Sequence, residues 1–272
     1  MTNPSVEDFP YRTINGTELL GRLYRPNTTG PAPYVVDVHG GAWRNGDRLN
    51  NEIIHVDFAS HGIGVFALDF RLSELAQYPA PVDDVNYGIR WFKANAATID
   101  ANASVIGGLG SSSGAQQMGL NALKPGDPAW CTPEAALSDV DASIAFFVAC
   151  WPILDPLARY QMVQRTGNER LQENHNIYFP TEADMAIGNP YMVLDRGEAT
   201  HTPPMIIVQG TADSNVEHTR ADLFAELYRA AGGAIKVHKY DDQPHSFIGV
   251  EPGSDVSNDA IAKLRDFALA QT

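Results

Sequence analysis

Gly107-Gly108-Leu109-Gly110-Ser111-Ser112-Ser113-Gly114 packs four glycines and three serines into eight residues. Ser104 to Leu109 reads as a strand, a short apolar run closed by glycine. Gln116 to Leu123 reads as a helix, stopped by Lys124-Pro125-Gly126. The serines thus sit on a strand-to-helix turn. Only Ser112 has glycine at both −2 and +2, so Gly110 to Gly114 matches G-x-S-x-G, the nucleophile elbow. The requirement is steric. A serine on so sharp a turn takes strained backbone angles, and its neighbours two positions away nearly touch, so side chains there would clash. The rival reading is a flexible Gly/Ser loop or a phosphate-binding turn. The stretch lacks a P-loop lysine and fits G-x-G-x-x-G only loosely, which disfavours a nucleotide.

Outward from the elbow, strands and helices alternate. Tyr11 to Tyr24 alternates apolar and polar residues around Asn15-Gly16 and predicts an antiparallel hairpin. Tyr34 to Val38 predicts a buried strand ending at His39-Gly40-Gly41-Ala42-Trp43. Asn51 to His61 predicts a helix, Gly64 to Phe70 a strand and Val82 to Ala94 a helix. Ser143 to Cys150 and Met205 to Gln209 predict strands. Thr219 to Ala231 predicts a helix, Ile235 to Tyr240 a strand and Asp259 to Ala270 a closing helix. This is the pattern of βαβ units, a mostly parallel sheet with helices on both faces. Trp151 to Thr202 breaks it, with helical pieces, prolines and aromatics but no strand. It reads as a cap-like insertion in a single domain, over the carboxyl ends of the strands, where open α/β sheets bind ligands.

A serine nucleophile needs a base, an orienting acid and donors for an oxyanion. In chain order the acid and then the histidine follow the elbow. Val208-Gln209-Gly210-Thr211-Ala212-Asp213 places Asp213 in a turn after a strand. Asp241-Asp242-Gln243-Pro244-His245 places His245 beyond the next strand. Of the eight histidines, His55, His61, His175 and His201 precede Asp213. His218 follows it too closely, His238 lies within a strand, and His39 belongs to the turn after the first central strand. Asp241 and Asp242 are rival acids, too near His245 in sequence to orient it. The glycines of the His39 turn let backbone N–H groups approach a substrate; Gly41, Ala42 and Ser113 are the expected oxyanion donors.

The 272 residues suit one large α/β domain. With 19 basic and 33 acidic residues the formal net charge is −14. That argues against nucleic acid and against anionic membrane surfaces. No stretch approaches a membrane span, so no membrane insertion is expected. Cys131 and Cys150 make no disulfide framework. No His pair has i, i+4 spacing and there is no HExxH, so neither a metal nor another cofactor is expected. The first residues show no basic or apolar leader, which sets the expectation of a cytoplasmic location. The sequence carries no signal of oligomeric state.

These motifs together resemble the hormone-sensitive-lipase-like and feruloyl-esterase-like carboxylesterases of the α/β-hydrolase superfamily. His39 to Trp43 resembles their oxyanion motif and Asp69-Phe70-Arg71-Leu72 their Asp-Tyr-Arg-Leu segment. Tyr78 to Val85 resembles the stretch that follows. The elbow, Gly210 to Asp213 and Pro244-His245-Ser246-Phe247 complete the set. The resemblance implies an α/β-hydrolase fold of about eight strands, with the helical insertion before the last two. It implies a serine hydrolase acting on small-molecule esters through an acyl-enzyme, with Ser112, Asp213 and His245 as triad. The chain departs from the pattern at Ala42, where the third glycine of HGGG stands, and at Ser111 and Ser113, which flank the nucleophile. His39 to Arg48 also resembles arylformamidases, so an amide-cleaving enzyme is an alternative, and a non-catalytic ligand-binding member of the fold a further one. Trp43, Trp151, Tyr160, Tyr178, Phe179 and Phe247 are candidates for pocket walls, with Trp43, Trp151 and Phe247 as the candidate substrate-binding residues.

Overall fold

The computed structural model describes residues 4–132 and 137–271. Eight strands form one sheet: β1 (Val6–Ile14), β2 (Thr17–Tyr24), β3 (Ala32–Val38), β4 (Gly64–Leu68), β5 (Ala103–Ser111), β6 (Phe147–Cys150), β7 (Met205–Gly210) and β8 (Ile235–Tyr240), in the order β1-β2-β4-β3-β5-β6-β7-β8. The β1–β2 and β2–β4 pairs are antiparallel and every other pair is parallel. The hairpin turns at Asn15-Gly16, both with positive φ (50° and 82°), which the twist of a two-residue hairpin demands. β3, β4, β6 and β7 are buried along their whole length, as interior strands covered on both faces must be.

Alternation along the strands builds two cores. On one face Tyr34, Val36 and Val38 of β3 share a core with Val82, Val85 and Ile89 of α2 (Ala80–Asn95), Met118 of α3 (Ser113–Leu123) and Phe224 and Tyr228 of α8 (Thr219–Ala230). On the other, Val35 of β3 and Leu109 of β5 meet α1 (Glu52–Ser60) and α10 (Asp255–Leu269) through Ile54, Phe58, Leu264 and Phe267. Truncating one such side chain, as in Phe58→Ala, costs about 3–5 kcal/mol. Asp37 shares the parity of Val35, so its carboxylate enters the core under α1, a fact that matters below.

The segment between β6 and β7 is helical, as its sequence predicts: α4 (Pro156–Thr166), α5 (Glu169–Tyr178), α6 (Glu182–Ile187) and α7 (Pro190–Asp195). Each is capped by its own side-chain oxygen, from Asp155, Asn168, Thr181 and Asn189. Asp155 also accepts from Asn189 Nδ2 at 2.8 Å and pairs with Arg220 of α8, which ties the segment to the sheet layer. α9 (Phe247–Val250), a single turn after His245, is not legible in the sequence. β3 and β5 are neighbours, yet the chain leaves β3 for β4 on one side and enters β5 on the other. Their carboxyl ends therefore open a crevice at the switch point of the sheet.

Candidate active site

Both elbow glycines are required by backbone approach. A Cβ on Gly114 would lie 2.0 Å from the Val38 carbonyl oxygen, and one on Gly110 2.8 Å from Ala115 Cα. α3 thus starts hard against the end of β3. Ser112, between them, has φ 49° and ψ −117°, a conformation non-glycine residues rarely adopt. The neighbouring strand holds it there: Ser112 N–H donates to Cys150 O at 2.9 Å, and Ser112 O accepts from Ile153 N–H at 3.0 Å.

The structure brings the three predicted side chains together from loops after β5, β7 and β8. His245 Nε2 lies 2.9 Å from Ser112 Oγ, and His245 Nδ1 lies 2.7 Å from Asp213 Oδ2. A carboxylate only accepts, so Nδ1 carries a proton and Nε2 presents its lone pair to the Ser112 hydroxyl. Asp213 Oδ2 also accepts from Gln209 Nε2 at 2.9 Å, and Oδ1 from the N–H groups of Asn215 (2.7 Å) and Val216 (2.8 Å). Burial raises the Asp213 pKa, but the hydrogen bond and charge of His245, with Val216 N–H and the Gln209 amide, outweigh it and hold the carboxyl below its ordinary value. The acid stays ionised beside the histidine. Asp241 and Asp242 are exposed on the loop after β8 and make no bond to His245.

The His39 turn faces the elbow. Gly41 (φ 116°), Ala42 (53°) and Trp43 (61°) all have positive φ. A Cβ on Gly41 would lie 1.8 Å from Asn45 O, so this glycine is irreplaceable. Ser113 Oγ accepts from Trp43 N–H at 3.1 Å, which ties the turn to α3. Among the described residues the N–H groups of Gly41 and Ala42 donate to no carbonyl. Ser113 is the first residue of α3, where an N–H has no partner inside the helix. His39 is buried on Phe70, with Nδ1 donating to Gly40 O at 2.6 Å. Burial lowers its pKa, against that bond, and keeps the ring neutral. Asp69, the first residue of the Asp-Phe-Arg-Leu segment, accepts from Arg48 N–H (2.9 Å) and Nη1 (2.7 Å), latching the far end of the turn.

A cleft of about 360 Å³ opens onto Ser112 and His245. Trp151 lines it, as the sequence predicts. Trp43 and Phe247 do not, and their assignment as substrate walls is corrected. Trp43 is 0 % exposed behind the turn, stacked on Tyr178, with Nε1 donating to Gln116 Oε1 at 2.9 Å. Its indole fills the seam between the turn and α5, and Tyr178 and Phe179 are buried with it. Phe247 is buried beneath Trp151, edge-on at 5.5 Å, and against Tyr240. Tyr160 packs on His175, also away from the cleft. The side chains that do line the cleft include Asn45, Asn50, Ile53, Arg170, Asn215 and Ile248. The first three lie within ten residues of the Trp43 turn, a signal the sequence offered. Arg170 comes from α5 and carries no local signal at all.

Two buried polar networks flank the site. Beside the nucleophile, Asp37 bonds His55 Nε2 at 2.8 Å and Asn51 Nδ2 at 3.1 Å, and Asn51 Nδ2 reaches Ser111 Oγ at 3.1 Å. Beside the acid, Arg159 Nε donates to Asn215 O at 3.0 Å and Nη1 to His175 Nε2 at 2.7 Å. Burial lowers Arg159 to about 10, partly offset by the charge of Asp213, so it remains a cation at neutral pH. Burial and then the Arg159 charge push His175 well below its ordinary pKa. Among the described residues no group of three or more His, Cys, Asp or Glu is placed to hold a metal ion, and no helix is long and apolar enough to cross a membrane.

With this geometry in view, the likenesses to known proteins are to esterases. The family model described as BD-FAE matches residues 22–228. The chain is 24% identical over 209 residues to esterase LipC of Mycobacterium tuberculosis, covering 74% of this chain and 49% of LipC. It is 27% identical over 254 residues to carboxylesterase NlhH of the same organism, covering 85% of this chain and 72% of NlhH. The chain spans about half the length of several of the curated relatives it matches, LipC and LipM among them. Esterase 2 of Thermogutta terrifontis, bound to propionate, superposes with a TM-score of 0.76 at 23% identity, covering 98% of this chain and 94% of that one. The same esterase phosphorylated by paraoxon superposes with a TM-score of 0.73 at 21% identity, covering 97% and 93%. The fold is that of an α/β-hydrolase.

Proposed function

The chain belongs to the BD-FAE family, and on that premise we propose that it is a serine hydrolase cleaving carboxylic esters of small substrates through an acyl-enzyme. The observation that carries the reading is the unbroken chain Ser112 Oγ–His245–Asp213, at 2.9 and 2.7 Å, at the floor of a cleft. His245 takes the Ser112 proton as Oγ attacks the ester carbonyl. Asp213 holds the histidine tautomer and stabilises the imidazolium. The N–H groups of Gly41, Ala42 and Ser113 receive the oxyanion, and His245 then protonates the leaving alcohol. Water releases the acyl group by the same route. A cleft of about 360 Å³ is small for a binding site and suits short acyl chains. Helices α4 to α7 act in this reading as the cap that supplies one wall, within a single domain. A cytoplasmic location belongs to the same proposal, and labelling of Ser112 by a fluorophosphonate in cell extract rather than medium tests it.

Hydrolysis of p-nitrophenyl esters from acetyl to octanoyl tests the activity. The expected kcat/KM is highest at the short end. Ser112→Ala removes turnover by about 10⁴-fold or more, and Asp213→Asn costs about 10⁴. As the Thermogutta esterase is phosphorylated by paraoxon, so should Ser112 be here. A folded protein that cleaves no ester and takes no organophosphate label on Ser112 sinks the proposal.

A further inference from the structure

The cations of this chain are almost all spoken for. Of its fourteen arginines, thirteen donate a hydrogen bond or ion pair to a carboxylate, a carbonyl or an amide. Arg170 is the exception: among the described residues it has no such partner. It is also the arginine that lines the cleft over Ser112. Among the described residues no aspartate or glutamate lines that cleft, although the chain carries 33 of them. Asp213, the nearest acid of the site, is buried behind His245 and committed to four donors.

Of the four asparagines lining the cleft, Asn45 and Asn51 spend their Nδ2 groups on Gly41 O and on Asp37 with Ser111, while the other two add free donors. Asn50 Oδ1 accepts from Asp47 N–H at 3.1 Å, and Asn215 Oδ1 accepts from Arg159 Nε at 3.2 Å. Their acceptor oxygens are used, while neither Nδ2 has an acceptor among the described residues. A cleft offering a guanidinium and two amide N–H₂ groups without acceptors, and no carboxylate among its described lining residues, matches a ligand that brings negative charge and acceptor oxygens. The protein as a whole repels anions at −14, so an anion reaching this cleft needs a local cation. A carboxylate supplies two acceptor oxygens in the geometry that a guanidinium fork matches.

We infer that the cleft selects esters bearing a free carboxylate, which Arg170 holds. The inference rests on the ester-hydrolase reading and names its substrate class. Two matched pairs test it. On the acyl side, mono-p-nitrophenyl glutarate is compared with its neutral methyl ester. On the alcohol side, 4-acetoxybenzoate is compared with methyl 4-acetoxybenzoate. One pair should show kcat/KM about threefold to fivefold higher for the acid, the worth of one charge pair at a solvent-exposed site. Which pair responds identifies the side of the ester that Arg170 reads. Arg170→Gln should bring that ratio to about one, and Arg170→Lys should restore part of it. Ratios near one in both pairs for the wild type, or a preference that survives Arg170→Gln, overturn the inference. A readout without turnover separates it from the activity itself. Glutarate, and not dimethyl glutarate, should slow labelling of Ser112 by a neutral fluorophosphonate. If no ester is cleaved, the hydrolase reading falls alone and this protection decides the role of Arg170.

Discussion

The two buried networks that flank the site differ in how their charge is balanced. On the nucleophile side, Asp37 and His55 face each other at 2.8 Å, and Asn51 extends the pair to the Ser111 hydroxyl. Carboxylate and imidazole settle their electrostatics locally, inside the core between β3 and α1. On the acid side, Arg159 is buried with only neutral partners, His175 and Asn215. The charge that raises its pKa belongs to Asp213, reached through the Asn215 N–H that bonds that carboxylate. The first network is a structural pair next to the chemistry. The second is electrostatically part of it, and it joins α4 and α5 to the triad's acid loop. Removing a member should therefore cost stability on one side, and stability with turnover on the other.

The largest effect is expected from Arg159→Met. It leaves Asn215 Oδ1 and His175 Nε2 without their donor and Asp213 without a nearby cation, so stability should fall by about 3 kcal/mol, the cost of two buried acceptors left unpaired. Turnover of p-nitrophenyl butyrate should fall with it, by roughly tenfold for the loss of about one hydrogen bond's worth of order in the acid loop. Urea unfolding and kcat measured on the same preparation check both; unchanged kcat would reduce this flank to a structural one like the other. Asp37→Asn should cost about 2 kcal/mol, the loss of a charged hydrogen bond to His55. Its kcat should stay within about threefold, because the network ends on Ser111 rather than on the nucleophile. A drop in kcat as large as that of Arg159→Met would erase the difference drawn here.

A pH series separates the flanks further. His175 has a folded pKa well below the ordinary imidazole value. Below about pH 6.5 the unfolded chain takes up a proton at His175 that the folded chain refuses. The stability due to this group is thus full above that pH and is lost as pH falls toward the folded value, by at most about 1.4 kcal/mol per pH unit. Tm measured between pH 7 and 5 should fall less steeply in His175→Gln than in wild type; identical slopes would place the titration elsewhere. The smallest effect belongs to Trp43→Phe. It loses the bond to Gln116 and should cost about 1 kcal/mol, with KM unchanged within about twofold, because the indole lies behind the turn. A larger KM change would return Trp43 to the cleft.

Much of the frame was legible because it is written in backbone requirements. Gly110 and Gly114 stand where a Cβ would strike the neighbouring backbone, and Asn15-Gly16 stands where φ must be positive twice. Such constraints act within a few residues, so the sequence displays them directly. The alternation of apolar runs with amphipathic stretches revealed the sheet and its covering helices for the same local reason. Trp43 and Phe247 were misplaced by the opposite kind of fact. A large aromatic beside a catalytic motif has the same sequence whether it faces substrate or fills the seam behind it. Only the position of Tyr178, 135 residues downstream of Trp43 in the chain, decides.

By itself the sequence determined the strand order of chemistry: an elbow serine, then an aspartate after β7, then a histidine after β8, with a glycine turn after β3 to face them. Period, chain order and glycine placement suffice for that, because each is a local steric rule. The tertiary structure alone decided which side chains line the cleft and which polar groups pair beneath it. Asp37 with His55 across two layers, Arg159 with Asn215 from 56 residues away, and Arg170, without a partner among the described residues, in the cleft of Ser112 are meetings that packing makes. Hydrogen-bond satisfaction and burial select such meetings only once the helices have packed, and nothing in a linear pattern records a partner that arrives from another layer.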